Sequence, residues 1–203
     1  MTTTVACAAV ACACAMTADQ VPTRPEDAKP IPVGSKVPDV KVMDLEGKAV
    51  SLKAIASKPT VVVFYRGGWC PFCNRHLSDL RNAEAGLKEM GFQLVAITPD
   101  LPAEITKTMG KDKLDYLIYS DSSAEAMKAF GVAFTLDPGT VAMYKDNYKI
   151  DLEKSSGQTH HILPVPSVFI TNGKGEVKFV HANPDYKVRL TAEEVLQAAR
   201  KAM

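Results

Sequence analysis

The sequence predicts an α/β fold with a mixed central sheet, helices on both faces and an N-terminal β-hairpin extension. Three observations carry that prediction. The apolar run over residues 59–65 is almost continuous, as in a strand covered on both faces. Strand and helix patterns then alternate in the order β–α–β–α–β–α–β–β–α. Finally, Asn172-Gly173-Lys174-Gly175 separates Val168-Phe169-Ile170 from Val177-Lys178-Phe179-Val180, which is the chemistry of an antiparallel hairpin turn.

Taken in chain order, residues 1–15 (MTTTVACAAVACACA) carry no charge and end in Ala13-Cys14-Ala15, an A-x-A-like cleavage signal. The basic n-region of a secretory signal is missing, and a disordered N-terminus of a cytoplasmic protein is the alternative. The expectation is export to a periplasmic or extracellular space, with removal of the leader near Ala15. Residues 16–34, with Pro22, Pro25, Pro30 and Pro32, read as an extended linker. A single domain is expected over 35–203, ordered from about Val37. Val40 to Leu52 alternates around Glu46-Gly47 as a hairpin. After the helix that follows residues 59–65, Phe92 to Thr98 is a strand, Pro102 starts a short helix, and Tyr116 to Tyr119 is strand-like. Ser122-x-x-Glu125 reads as a capping box opening a helix that closes before Gly131. Residues 132–160 mix turn signals and read as an insertion with room for a short helix. Thr191-x-x-Glu194 caps a last helix carrying Val195, Leu196, Ala199 and Met203.

Composition removes several function classes. Across 203 residues, 24 Lys and Arg balance 23 Asp and Glu for a net charge of +1. That suggests neither nucleic acid nor an anionic surface as partner. No apolar run reaches the ~20 residues a membrane-spanning helix needs.

The cysteines carry the chemistry. Of five, Cys7, Cys12 and Cys14 lie in the leader, which leaves Cys70 and Cys73 for the folded body. This Cys-x-x-Cys follows the strand 59–65 and opens a helix whose Leu77, Leu80, Leu87 and Met90 share one face, ending near Gly91. Pro71 suits the first helical turn, where its missing N–H costs nothing. A sulfur at the helix start gains from the positive end of the helix dipole, which stabilises a thiolate. Cys73 falls on the apolar face with Leu77 and Leu80, so Cys70 is expected to be the exposed, attacking thiol and Cys73 the sheltered, resolving one. A structural disulfide or a metal site are the alternatives, but no second Cys-x-x-Cys completes a four-sulfur zinc set. Trp69 and Phe72 read as packing around the pair. No cofactor or metal is implied.

With these residues placed, the chain resembles the thioredoxin superfamily, and within it the peroxiredoxin-like proteins of the alkyl hydroperoxide reductase/thiol-specific antioxidant group. The resemblance runs from about Gly34 to the C-terminus. It rests on Gly34-x-x-x-Pro38-Asp39, Asp44-x-x-Gly47, Arg66-Gly67-Gly68-Trp69-Cys70, Ile97-Thr98-Pro99-Asp100, and Ser120-Asp121 before Gly131-Val132. Pro164-Val165-Pro166 resembles the superfamily's cis-proline loop, which implies a thioredoxin-like fold with a cis Pro166 facing the dithiol. The departures matter too. If Cys73 takes the peroxidatic place, Cys70 stands where the family has a hydroxyl residue, Arg66 where it has a proline, and Pro166 where it has an arginine. Phe64 stands where thioredoxins bury an acid. Cys70-Pro71-Phe72-Cys73 is also similar to the glutaredoxin motif, at the active site only.

The resemblance implies a thiol–disulfide oxidoreductase using Cys70 and Cys73, with Trp69, Pro71, Arg66 and Pro166 in support. Its partners would be protein thiols and disulfides or small thiols. Reduction of hydroperoxides is the alternative, ranked below disulfide exchange because the peroxide-activating residues are replaced. A Cu(I)-binding module using the cysteines with His160 or His161 is a further alternative; the simpler reading of those two is loop solvation, and His76 and His181 offer no better case.

Overall fold

The computed structural model describes residues 21–112 and 116–203. The leader and its three cysteines lie outside the described residues. β1 (Lys41–Met43) and β2 (Ala49–Ser51) form the expected hairpin. Its turn is held by Asp44, whose Oδ1 accepts from the N–H groups of Glu46 and Lys48, and by Gly47 at φ +79°. A four-residue helix the pattern did not announce, α1 (Leu52–Ile55), follows. β3 (Thr60–Phe64), α2 (Pro71–Glu89), β4 (Gln93–Thr98), α3 (Pro102–Asp112), β5 (Leu117–Ser120) and α4 (Glu125–Ala129) succeed one another as the sequence predicts.

The central sheet has seven strands when β8 (Ser167–Thr171) and β9 (Val177–Ala182) are added, in the order β2-β1-β5-β4-β3-β8-β9. β3, β4 and β5 are parallel, and the hairpins at either side join them antiparallel, through β1 against β5 and β8 against β3. The N-terminal hairpin is therefore an edge of the main sheet, joined through Met43 opposite Ser120. Every residue of β3 is buried, and its alternation feeds two cores. Val61 and Val63 meet Leu77, Leu80 and Leu87 of α2 and Val195 and Ala199 of α7 (Ala192–Ala202). Val62 and Phe64 meet Ala126 and Met127 of α4, with Phe130 and Phe169 stacked edge-to-face at 5.0 Å. Helices thus cover both faces.

Three sequence expectations change. Residues 22–31 do not form a free linker: they carry a short 3₁₀ turn at Pro25–Asp27 and bond to the body through Thr135 N–H to Pro22 O and Ile31 N–H to Phe130 O. Val21 and Ile31 reach the second core because that face would otherwise stay wet. The helix α4 is not opened by a Ser122–Glu125 box. Ala124 is its N-cap, at φ +61°, and the buried Asp121 carboxylate accepts instead from Ala126 and Met127 N–H. Residues 132–160 hold more structure than expected. β6 (Ala133–Thr135) pairs with β7 (Ile162–Pro164) as a separate ribbon, which encloses α5 (Pro138–Tyr148) and α6 (Leu152–Ser156). Among the described residues, no helix is long and apolar enough to cross a membrane.

Candidate active site

The dithiol sits at the carboxyl end of β3, as its position before an N-terminal helical turn demands. Cys70 is the N-cap of α2 and Pro71 its first residue. The loop from Arg66 to Cys70 is stitched by Cys70 N–H to Gly67 O (3.1 Å), Asn74 Nδ2 to Gly68 O (2.9 Å) and Gly68 N–H to Asp100 Oδ2 (2.7 Å). Neither glycine can be larger: a Cβ at Gly67, whose φ is +148°, would enter the Trp69 indole, and one at Gly68 would enter the Thr108 side chain.

Both sulfurs are free thiols. The expected exposure of Cys70 does not hold: it is 2% exposed and Cys73 0%, with Trp69 and Phe72 packed against their cluster. The helix start alone argued for exposure; aromatic packing over it reverses that. The electrostatic asymmetry survives. The Cys73 thiol donates to Cys70 and holds its pKa down at about 6, helped by the Cys73 N–H, Arg66 and Arg189 against the cost of burial. Burial, and the proton it donates to Cys70, push Cys73 well above the ordinary thiol value. Arg189 Nη2 lies 3.7 Å from Cys73 Sγ, and burial outweighs it.

Arg66 is the other cation at the site. It is 4% exposed, donates from Nη2 to Tyr144 Oη (2.6 Å), and lies over the rings of Tyr186 (4.5 Å), Trp69 (5.5 Å) and Tyr144 (5.7 Å). Beneath the loop, Asp100 is 2% exposed and burial raises its carboxyl to about 7. His76, one turn after Cys73, is buried and held down at about 4 by burial first and Arg189 second.

Pro166 is not cis; the described residues hold no cis peptide bond. Val165 bonds to Val132 O beside the β6–β7 ribbon, and Ser167 begins β8 opposite Phe64. No turn separates β7 from β8, so the bond keeps the trans form that X–Pro favours by about 0.5–1 kcal/mol. Pro166 nonetheless lines one cavity with Arg66, beside the end of β3. The two loop histidines are otherwise engaged. His160 meets Ser122 O through Nε2 (2.8 Å) and accepts from Ile162 N–H through Nδ1 (3.0 Å), while His161 faces Glu153 (2.9 Å). No cluster of His, Cys, Asp or Glu among the described residues could hold a metal, so the Cu(I) reading has no support. Sequence reasoning missed Arg189, Tyr144 and Tyr186, each more than seventy residues from the motif, and gave Asp100 no role. Only the Thr98-Pro99-Asp100 run at the end of β4 offered a signal, for Asp100.

Comparison with known proteins bears on the family and the fold. Chloroplastic peroxiredoxin Q of Oryza sativa subsp. japonica is 29% identical over 142 residues, which cover 64% of this chain and 65% of that protein's length. Chloroplastic peroxiredoxin Q of Suaeda salsa is 31% identical over 99 residues, 49% of this chain and 46% of that protein. Two solved structures share the fold. Peroxidoxin BcpB from Mycobacterium tuberculosis has a TM-score of 0.62 at 20% identity, over 83% of this chain and 96% of that one. Reduced Prx3 from Vibrio vulnificus has 0.67 at 16%, over 84% and 99%. The AhpC/TSA family matches residues 33–180, and this chain belongs to it.

Proposed function

We propose that the chain is a thiol-dependent oxidoreductase that reduces small hydroperoxides through Cys70 and Cys73. One observation carries the reading: a buried dithiol at a helix N-cap whose first sulfur has a pKa of about 6, with two guanidinium groups lowering it. The Cys70 thiolate attacks the outer oxygen of R–O–O–H, the O–O bond breaks, and RO⁻ leaves to take up a proton. Cys70 is then a sulfenic acid. The Cys73 sulfur attacks Cys70, expelling hydroxide that leaves as water, and the Cys70–Cys73 disulfide forms. An external thiol reduces it.

This reverses the ranking drawn from the motif. Charge developing on the leaving oxygen needs placed donors. Arg66 and Arg189 supply cations at the two sulfurs although Pro166 occupies the family's arginine place. Burial of Cys70 also favours a small oxidant over a protein disulfide. The peroxiredoxin names of the relatives support the same reading. Stopped-flow oxidation of one reduced sample by hydrogen peroxide and by a protein disulfide tests it. Peroxide should be the faster oxidant, far above an ordinary thiol at that pH. A protein disulfide that reacts faster would return the chain to disulfide exchange.

A further inference from the structure

A cavity of about 240 Å³ is lined by Arg66, whose charge acts on Cys70, and by Tyr144, Pro166, Tyr186, Thr23 and Asp137 among others. Its floor carries an unusual charge. Arg66 is almost wholly buried, yet it enters no ion pair among the described residues, and its Nε has no hydrogen-bond partner. The aromatic faces around it offset part of the desolvation cost of such a cation, but a buried guanidinium ordinarily has an anion. Asp137 does not provide one. Its two oxygens accept from Thr140 N–H (2.9 Å) and Thr140 Oγ1 (2.6 Å) at the start of α5. The volume is below the ~300–1,000 Å³ typical of drug-sized sites, so an occupant must be small. The same holds for anything reaching the buried Cys70 sulfur.

We propose that this cavity receives the carboxylate of a small thiol, the reductant that reopens the Cys70–Cys73 disulfide; the inference rests on the dithiol chemistry above. In the disulfide the Cys70 thiolate charge that Arg66 favours is gone; the carboxylate supplies an anion there in its place, and the thiolate end reaches Cys70. RS⁻ attacks the Cys70 sulfur, the bond to Cys73 breaks, and R–S–S–Cys70 forms. The Cys73 thiolate leaves beside Arg189 and takes up a proton. A second RS⁻ attacks the R sulfur, giving R–S–S–R and the Cys70 thiolate. Two thiols are oxidised and one protein disulfide is reduced.

The test uses the full chain oxidised with diamide, its reduction followed by fluorescence of Trp69, the single tryptophan, next to Cys70. Rates with 3-mercaptopropionate and 2-mercaptoethanol are each referred to thiolate concentration. The carboxylated thiol should react about tenfold faster at low salt, the worth of one charged hydrogen bond. The ratio should fall toward one in Arg66→Met, recover in part in Arg66→Lys, and fall in Thr23→Glu, which sets a like charge at the exposed rim. A ratio cancels any general loss of activity. Equal rates in the native chain, or a preference surviving Arg66→Met, overturn the proposal. A preference for carboxylated over neutral hydroperoxides by the reduced protein, without one among thiols, also overturns it and moves the anion to the oxidant. Failure of diamide to form the Cys70–Cys73 disulfide, read by mass, overturns the dithiol reading itself.

Discussion

Cys70 and Cys73 differ by their surroundings, since both are buried. The thiol proton of Cys73 is the largest influence holding Cys70 down at about 6. The rate of Cys70 alkylation by iodoacetamide should therefore rise through a midpoint near pH 6, and Cys73→Ala should move that midpoint toward the ordinary 9. An unmoved midpoint would assign the shift to the helix and the arginines. Arg189→Met removes the cation at Cys73 and should slow disulfide closure roughly tenfold, the loss of one charge-assisted contact. Quenched-flow mass analysis separates that step from oxidation. Asp100 sets a pH dependence of stability. Burial raises its carboxyl from 3.8 to about 7, so the folded state holds the proton more tightly than the unfolded chain. Its stability contribution is complete at low pH and is lost as pH rises from about 4 through about 7, on the order of 1 kcal/mol of it between about pH 6 and 8. Asp121, also raised to about 7 by burial, acts in the same sense. His76, held at about 4, acts oppositely and costs stability as pH falls below its ordinary 6.5. Asp100→Asn should flatten the decline in melting temperature between about pH 6 and 8; a parallel curve would place the proton elsewhere.

The two capping boxes show what a local signature can and cannot decide. Thr191 and Glu194 close a reciprocal box at α7, through Glu194 N–H to Thr191 Oγ1 and Thr191 N–H to Glu194 Oε2 (2.7 Å). Ser122 and Glu125 have the same spacing, but the Asp121 carboxylate, buried among its donors, captures the first N–H groups of α4. The sequence gives equal cues; a neighbouring acid decides. Thr191→Ala should cost about 1 kcal/mol in denaturant unfolding, the usual worth of a lost cap. Ser122→Ala should cost almost none of that. The helix α2, read correctly to its end at Gly91, was legible because propensity, Pro71 and one apolar face agree.

Over the whole molecule, long-range contacts complete the site. Residues before Val33 look like a tether in composition, yet Thr23 and Pro25 line the Arg66 cavity and Val21 and Ile31 pack on the second core. A chain begun at Val33 should melt about 6–12 °C lower, from roughly 3 kcal/mol of lost burial at 2–4 °C per kcal/mol. An unchanged melting temperature would make the docking of that segment energetically idle.

The sequence by itself determined the order of strands and helices, the hairpins at Gly47 and Gly173, and the Cys70–Cys73 pair at its strand–helix junction. Those are written in period, turn residues and capping chemistry within a few positions of each other. Tertiary structure decided what surrounds the pair. It buried Cys70 under Trp69 and Phe72, kept the bond before Pro166 trans, and brought Arg189, Tyr144 and Tyr186 to the sulfurs and to Arg66. Such contacts depend on how the β6–β7 ribbon and the segment before α7 pack against the sheet, and no short-range pattern encodes that distance.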